Sequence, residues 1–348
     1  MTVAAPHCAI IPPFILDKLA DDGHEPAVRS LALDAAHRDA RRSTATAGPA
    51  DPAAPAVLGA APLERVIRDA RHTETLPGRT VRREGAVPVS DRSVNQAYDG
   101  LGSTFALFAE AYGRRSIDDA GLRLDATVHY GHSYDNAFWD GSRMVFGDGD
   151  GVIFGDFTGC LDVIGHELSH GVTQFTAGLE YHGQSGALNE SLSDVFGSLV
   201  KQYALRQDCE QADWLIGAGL LAPGVHGVAL RSMRAPGTAY DDPRLGKDPQ
   251  PAHLRDYVRT EQDAGGVHIN SGIPNHAFYL LATALGGHAW ERAGQIWYDT
   301  LTHGRLPATA DFTTFARATV AAARSRFPDE TVANTVTASW ATVGVSVG

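Results

Sequence analysis

Apolar residues recur at helical spacing in several long stretches of the chain. Leu188, Leu192, Val195, Phe196, Leu199 and Tyr203 mark an amphipathic helix from about Leu188 to Arg206. A further helix is expected around Val94–Tyr112, and apolar runs at Phe312–Ala323 and Thr331–Val343 continue a mainly helical C-terminal part. Leu124-Asp125-Ala126-Thr127-Val128-His129-Tyr130 is strand-like, so residues from about 61 to 160 mix strands with a helix. Residues 43–60 are rich in Ala, Pro, Gly and Thr and read as a linker. Before it, residues 1–42 form a short, partly helical segment ending in Arg38, Arg41 and Arg42. Gly147-Asp148-Gly149-Asp150-Gly151 looks like the start of a calcium loop. Such a loop closes on a glutamate at its twelfth position, where Gly159 stands, so the stretch is read as a turn.

A length of 348 residues allows two domains and a large core. A net charge of −12 argues against nucleic acid as a partner. No apolar run approaches the length of a membrane helix. The run from Ala9 to Leu16 is short, broken by Pro12 and Pro13, and lacks a basic start, so it does not read as a secretory signal. Cys8, Cys160 and Cys209 cannot all pair internally and are expected to be reduced, as in a reducing compartment.

Candidate chemistry centres on His166-Glu167-Leu168-Ser169-His170, an H-E-x-x-H run. In a helix, residues four apart share a face, so two imidazoles can bind one zinc ion while the glutamate reaches a water beside it. A catalytic zinc usually has a third protein ligand. Glu190 and Asp194, four apart on the next helix, are the candidates: one carboxylate for the metal, the other to accept the free ring N–H of a histidine. Asn189 is placed to orient the second histidine. The plainer alternative for these carboxylates is a solvated acidic helix face.

H-E-x-x-H followed by Gly186-Ala187-Leu188-Asn189-Glu190-Ser191-Leu192-Ser193-Asp194 resembles the thermolysin-like zinc metallopeptidases. So do Asn136-Ala137-Phe138-Trp139, Met144 to Gly151, Leu230-Arg231-Ser232-Met233 and Gly265 to Gly272. The likeness runs from about Leu76 to the C-terminus. It implies an α+β fold of two domains: an N-terminal mixed β-sheet/α domain (61–185), a C-terminal mainly helical domain (186–348), and the zinc helix between them. It implies zinc held by His166, His170 and Glu190, Glu167 as general base, and His268 and Tyr181 as oxyanion donors, with Asp263 holding His268. Asn136 and Ala137 would pair with substrate main chain at an exposed sheet edge, and Arg231 would bind the carbonyl after the cleaved bond. Phe154, Phe157, Val163 and Leu230 would line an apolar pocket, so cleavage is expected before bulky hydrophobic residues, with Phe157 narrowing the pocket.

The N-terminal run Cys8 to Leu16 resembles the short propeptide of the protealysin-like branch. Residues 1–42 are therefore expected to act as an intramolecular inhibitor, with Ile11 to Leu16 as an extended apolar anchor and autoprocessing in the linker. Whether Cys8 reaches the zinc is left open by the sequence. Other expected partners are peptide or protein substrates, and the chain is expected to be a monomer. Family likeness suggests secretion, here by a route without a signal peptide; residence in the cytoplasm is the alternative. A catalytically lapsed zinc-containing scaffold is the competing function, against which stand Glu167, His268 and Tyr181. Structural calcium sites are expected to be largely lost. Of the main double site only Asp162 and Asp213 are acidic; Lys201, Leu215 and Ala218 hold the other positions, and an Asp162–Lys201 ion pair is the expected substitute. Arg82-Arg83-Glu84-Gly85 and Val228 stand at two further sites.

Overall fold

The computed structural model describes residues 8–44, 62–303 and 305–348. Most of the expected linker therefore lies outside the described residues. Six strands form one mixed sheet. They are β1 (Cys8–Ala9), β2 (Arg65–Asp69), β3 (Arg79–Arg83), β4 (Leu124–Val128), β5 (Ala137–Trp139) and β6 (Met144–Phe146), in the order β1-β5-β6-β4-β2-β3. β2, β4 and β6 run parallel, and the outer pairs are antiparallel. The edge at β5, expected to be exposed, is covered by β1 with Cys8 opposite Trp139 and Ala9 opposite Phe138.

Helix α1 (Pro13–Asp21) and helix α2 (Glu25–Thr44) follow β1. The expected extended anchor is thus only partly extended. Pro13 sits in the first turn of α1, where a missing N–H costs nothing and a fixed φ favours the helix. The helix buries Ile15, Leu16 and Leu19, while Ile10 and Ile11 are buried from the extended part. α2 then lies over the turn before β5. Tyr134 Oη donates to Asp34 at 2.5 Å, Asn136 Nδ2 donates to the other Asp34 oxygen at 2.9 Å, and the Asp135 N–H donates to Ser30 at 2.9 Å. Asp135 itself is buried; desolvation first, then Asp150, pushes its pKa to about 8, which leaves it largely neutral at pH 7.

The expected helix near Val94–Tyr112 is α3 (Arg92–Ala106), capped by the Asp91 carboxylate on the Val94 N–H at 3.2 Å and extended to Ala111 by one π-turn. Against the sheet lies α4 (Leu161–Gln174), with α5 (Gly183–Leu205) crossing it. α5 begins five residues before Leu188, because the small, polar residues Gly183 to Ala187 continue the helix without an apolar stripe to announce it. Two short strands, β7 (Leu215–Ile216) and β8 (Arg231–Ser232), pair beside α5. A second pair, β9 (Asp241–Asp242) and β10 (Gly246–Lys247), precedes the remaining helices. These are α6 (Asp263–Asn270), α7 (Gly272–Leu285), α8 (Ala293–His303), α9 (Phe312–Arg326) and α10 (Glu330–Thr342). Trp297 and Trp340 stack at 5.8 Å in their core, and Trp340 Nε1 donates to Thr319 at 2.9 Å. No helix among the described residues is long and apolar enough to cross a membrane.

α4 and α5 meet through glycines. A methyl group on Gly197 would lie 2.4 Å from the Asp162 carbonyl oxygen, and one on Gly165 would lie 3.0 Å from the Gly197 Cα. Only residues without a side chain allow that approach.

Beyond the crossing, Lys201 Nζ reaches Asp162 Oδ2 at 2.7 Å, Asp213 Oδ1 at 2.9 Å and the Leu215 carbonyl at 2.8 Å. The ion pair expected at the double calcium position is therefore present. Burial pulls the Lys201 pKa down, but the two carboxylates hold it above the ordinary lysine value. Removing the cation strands the buried Asp162 charge. Lys201→Met is expected to cost about 3–5 kcal/mol, read as a lowered midpoint in chemical denaturation.

Candidate active site

The α4–α5 crossing decides where the site forms. His166 and His170 project from one face of α4, and Glu190 and Asp194 from the facing side of α5. His166 Nε2 and His170 Nε2 lie 3.1 Å apart, and each is 3.5 Å from a different Glu190 carboxylate oxygen. All three residues are buried. Glu190 Oε2 receives no hydrogen bond among the described residues. Two ring nitrogens and an under-satisfied carboxylate oxygen facing one point, inside a protein, form the donor set that a zinc ion takes.

Both imidazoles are held from behind. His166 Nδ1 lies 2.8 Å from Asp194 Oδ1, and His170 Nδ1 lies 2.9 Å from Asn189 Oδ1 and 3.0 Å from Ser193 Oγ. These bonds occupy the Nδ1 atoms and leave the Nε2 atoms turned toward Glu190. Burial, with Glu190 opposing, lowers the His170 pKa to about 3, so that ring is neutral and able to ligate. Asp194 is itself clamped. Arg231 donates to its two oxygens at 2.9 and 2.8 Å, and Asn275 Nδ2 donates at 2.8 Å. Against the desolvation that raises it, Arg231 and His166 hold the Asp194 pKa below the usual carboxylate range.

Glu167 lies beside the cluster and accepts the Trp139 N–H at 3.0 Å, which ties it to strand β5. On the far side stands His268, on α6. Its Nδ1 lies 2.6 Å from Asp263 Oδ1, and its backbone N–H donates to Asp263 Oδ2 at 2.8 Å. Burial opposes its charge, but Glu190 and Asp263 raise the His268 pKa to about 9, so its Nε2–H is a donor. Asp263 and Ala264 hold φ of 53° and 50°, a left-handed conformation that costs a non-glycine residue energy and turns the Asp263 carboxylate back onto His268. Tyr181 Oη donates to Glu190 Oε1 and lies 3.3 Å from His268 Nε2.

β1 passes through this arrangement. His268 Nε2 donates to the Ala9 carbonyl at 3.2 Å, and Arg231 Nη1 donates to the Ile10 carbonyl at 3.2 Å. The Ile10 N–H donates to the Ala137 carbonyl at 3.1 Å. Asn136 accepts the Ile11 N–H at 2.9 Å and donates to the Ile11 carbonyl at 3.3 Å. The expected pocket residues Phe154, Phe157, Val163 and Leu230 are all buried, in one apolar cluster with Ile10 and Ile11; the rings of Phe154 and Phe157 lie 6.2 Å apart.

Comparison with known proteins places this geometry. The family model described as thermolysin metallopeptidase, catalytic domain, matches residues 68–174, and that described as its alpha-helical domain matches residues 177–345. The extracellular metalloprotease of Pectobacterium carotovorum subsp. carotovorum is 54% identical over 98% of this chain and 97% of its own. The chain belongs to the thermolysin-like metallopeptidases. Protease PrtS of Photorhabdus sp. (strain Az29) is 51% identical over 82% of this chain and 77% of its own. The precursor of protealysin, a metalloproteinase from Serratia proteamaculans, superposes with a TM-score of 0.88 at 52% identity, over 97% of this chain and 100% of that one. The two-domain thermolysin fold and a peptide-hydrolysing metalloenzyme are thereby established. Enzymes of this family use zinc, and His166, His170 and Glu190 fit it by the donor set described above.

Sequence reasoning placed Asp194 and Asn189 behind the histidines but missed Ser193, Asn275 and the clamp of Arg231 on Asp194. Ser193 sits next to Asp194 and had a local signal. Asn275 had none, since only the packing of α7 on α5 brings it there. Asp194→Ala is expected to weaken zinc binding 10–100-fold, measured by competition with a chromogenic chelator.

Proposed function

We propose that the chain is a zinc endopeptidase that cleaves before bulky hydrophobic residues and is made as a self-inhibited, self-processed precursor. The observation that carries this reading is the set of contacts made by residues 9–11. An extended peptide lies antiparallel to β5, with successive carbonyls on His268 and Arg231 and its amide groups on Ala137 and Asn136. Substrates would use the same ladder. The carbonyl on His268 would then belong to the bond to be cut, and the next side chain, where Ile10 stands, would enter the apolar pocket.

His166, His170 and Glu190 would hold a zinc ion, which would supply Lewis acidity toward a water and the scissile carbonyl. The chain's own groups do the rest. Glu167, fixed by the Trp139 N–H, takes the water's proton and returns it to the leaving amine. His268, kept cationic by Glu190 and Asp263, donates to the developing oxyanion, and the Tyr181 hydroxyl adds a second donor once its bond to Glu190 is given up. Arg231 orients the peptide beyond the bond.

Residues 1–42 are proposed to be the propeptide, 43–60 the processing region, 61–185 the N-terminal domain and 186–348 the C-terminal domain. The relatives' extracellular naming supports export of this chain as well. Loss of calcium sites is proposed from Lys201, whose ammonium fills the carboxylate cluster.

Glu167→Ala is expected to keep zinc and fold, to lose peptidase activity by several orders of magnitude, and to stay full length while wild type shortens by roughly 40–60 residues. His268→Ala is expected to cost roughly 10²–10³-fold, as one of several donors. Turnover assays beside mass spectrometry over time check both; an active wild type with its N-terminus intact would overturn the inhibitory segment. Melting temperature is expected to stay within a few degrees when millimolar calcium is added; a larger rise would reveal a calcium site, because a ligand that binds only the folded state must stabilise it.

A further inference from the structure

The contacts of residues 9–11 pose a difficulty for an inhibitor. The segment lies in the direction proposed for substrates, with the Ala9–Ile10 bond where cleavage would occur and a bulky residue after it. A bond so placed, beside Glu167, ought to be hydrolysed. Something must keep the nucleophile away from it.

Cys8 is the group in position to do so. It is buried and takes part in no disulfide. Its sulfur, a ligand atom of His170 and a ligand atom of Glu190 all lie within 4.8 Å of one another. Pairing of Cys8 with Trp139 fixes the residue's place on β5, one residue from the Ala9 carbonyl held by His268. We propose that in the precursor the Cys8 thiolate is the fourth zinc ligand, occupying the position that a catalytic zinc otherwise leaves open for water. This inference rests on reading residues 1–42 as an inhibitory segment bound in substrate direction.

The chemistry suits the placement. Thiolate sulfur joins two imidazoles and a carboxylate in a four-coordinate set of the kind zinc accepts. The ligand is the thiolate, so one proton leaves to bulk water as the coordinate bond forms. With sulfur in the open position, Glu167 has no water to deprotonate and the Ala9–Ile10 bond survives. The segment is then held by two independent means, the strand ladder and one metal–sulfur bond.

The test uses the full-length precursor carrying Glu167→Gln, which blocks processing, with cobalt(II) in place of zinc. Thiolate ligation is expected to give an intense sulfur-to-cobalt charge-transfer band in the near ultraviolet, absent when Cys8→Ser is added. In the chain with Glu167 intact, Cys8→Ser is expected to expose the Ala9–Ile10 bond, so that mass spectrometry finds a product beginning at Ile10 that wild type lacks. Absence of the band from the Glu167→Gln precursor overturns the thiolate ligand and leaves the inhibitory segment standing. A band present in that precursor, with Cys8→Ser uncut at Ala9–Ile10, overturns the protective role of the sulfur. Full peptidase activity from wild type with an intact N-terminus instead overturns the inhibitory reading on which the proposal rests.

Discussion

The close contact of two helix backbones at Gly165 and Gly197 is the constraint on which the site depends. It brings α4 and α5 near enough for two histidines and two carboxylates to meet in the interior. Such a concentration of polar groups in a low-dielectric space is costly unless each finds a partner. Here the rings and the supporting carboxylate each find one, Asp194 behind His166, Arg231 and Asn275 behind Asp194, Asn189 and Ser193 behind His170, and Asp263 behind His268, which leaves Glu190 Oε2 as the under-satisfied atom. A methyl group at the crossing would push the two helices apart and lengthen the bonds that span them, those of His166 to Asp194 and of His170 to Asn189 and Ser193. The catalytic geometry is thus a packing property before it is an electrostatic one.

What could be read in advance divides along the reach of each interaction. His166 and His170 were legible because a helix repeats every few residues, and so were Glu190 and Asp194 on the next helix. The Lys201 substitution was legible because a charge reversal needs a nearby anion, and Asp162 and Asp213 were the available ones. Contacts made only by distant packing were not. Asn275, Ser30, Asp34 and His24 carry no local pattern that marks them, yet Ser30, Asp34 and His24 meet the turn before β5, His24 lying 3.8 Å from Asp135 there and 2.7 Å from Asp150 beyond β6. Pro12 and Pro13 misled in a different way. Two prolines suggest extended chain, but the second is equally at home in the first turn of a helix, and the burial of Ile15, Leu16 and Leu19 on one side tips the balance.

The N-terminal segment joins two kinds of contact that differ in how they fail. Strand pairing at β5 is made of backbone groups and tolerates many side chains. Docking of α1 and α2 is made of buried apolar residues and a few hydrogen bonds, and is specific to this sequence. Because one chain carries both, ordering α1 and α2 on the surface places β1 at the sheet edge at high effective concentration, well beyond what so short a strand would achieve alone.

Burial of the other two thiols has a consequence under oxidising conditions. Desolvation, aided by Asp162, pushes the Cys160 pKa to about 12, and desolvation with Asp208 pushes that of Cys209 to about 11. Disulfide exchange proceeds through thiolate attack, so both sulfurs are poorly reactive in it near neutral pH. A chain from which the segment bearing Cys8 had been removed would keep only these two buried thiols, neither well placed to cross-link to a neighbour or to be capped by a small disulfide. Such a chain would resist oxidation much as a cysteine-free protein does while keeping two sulfurs in its core.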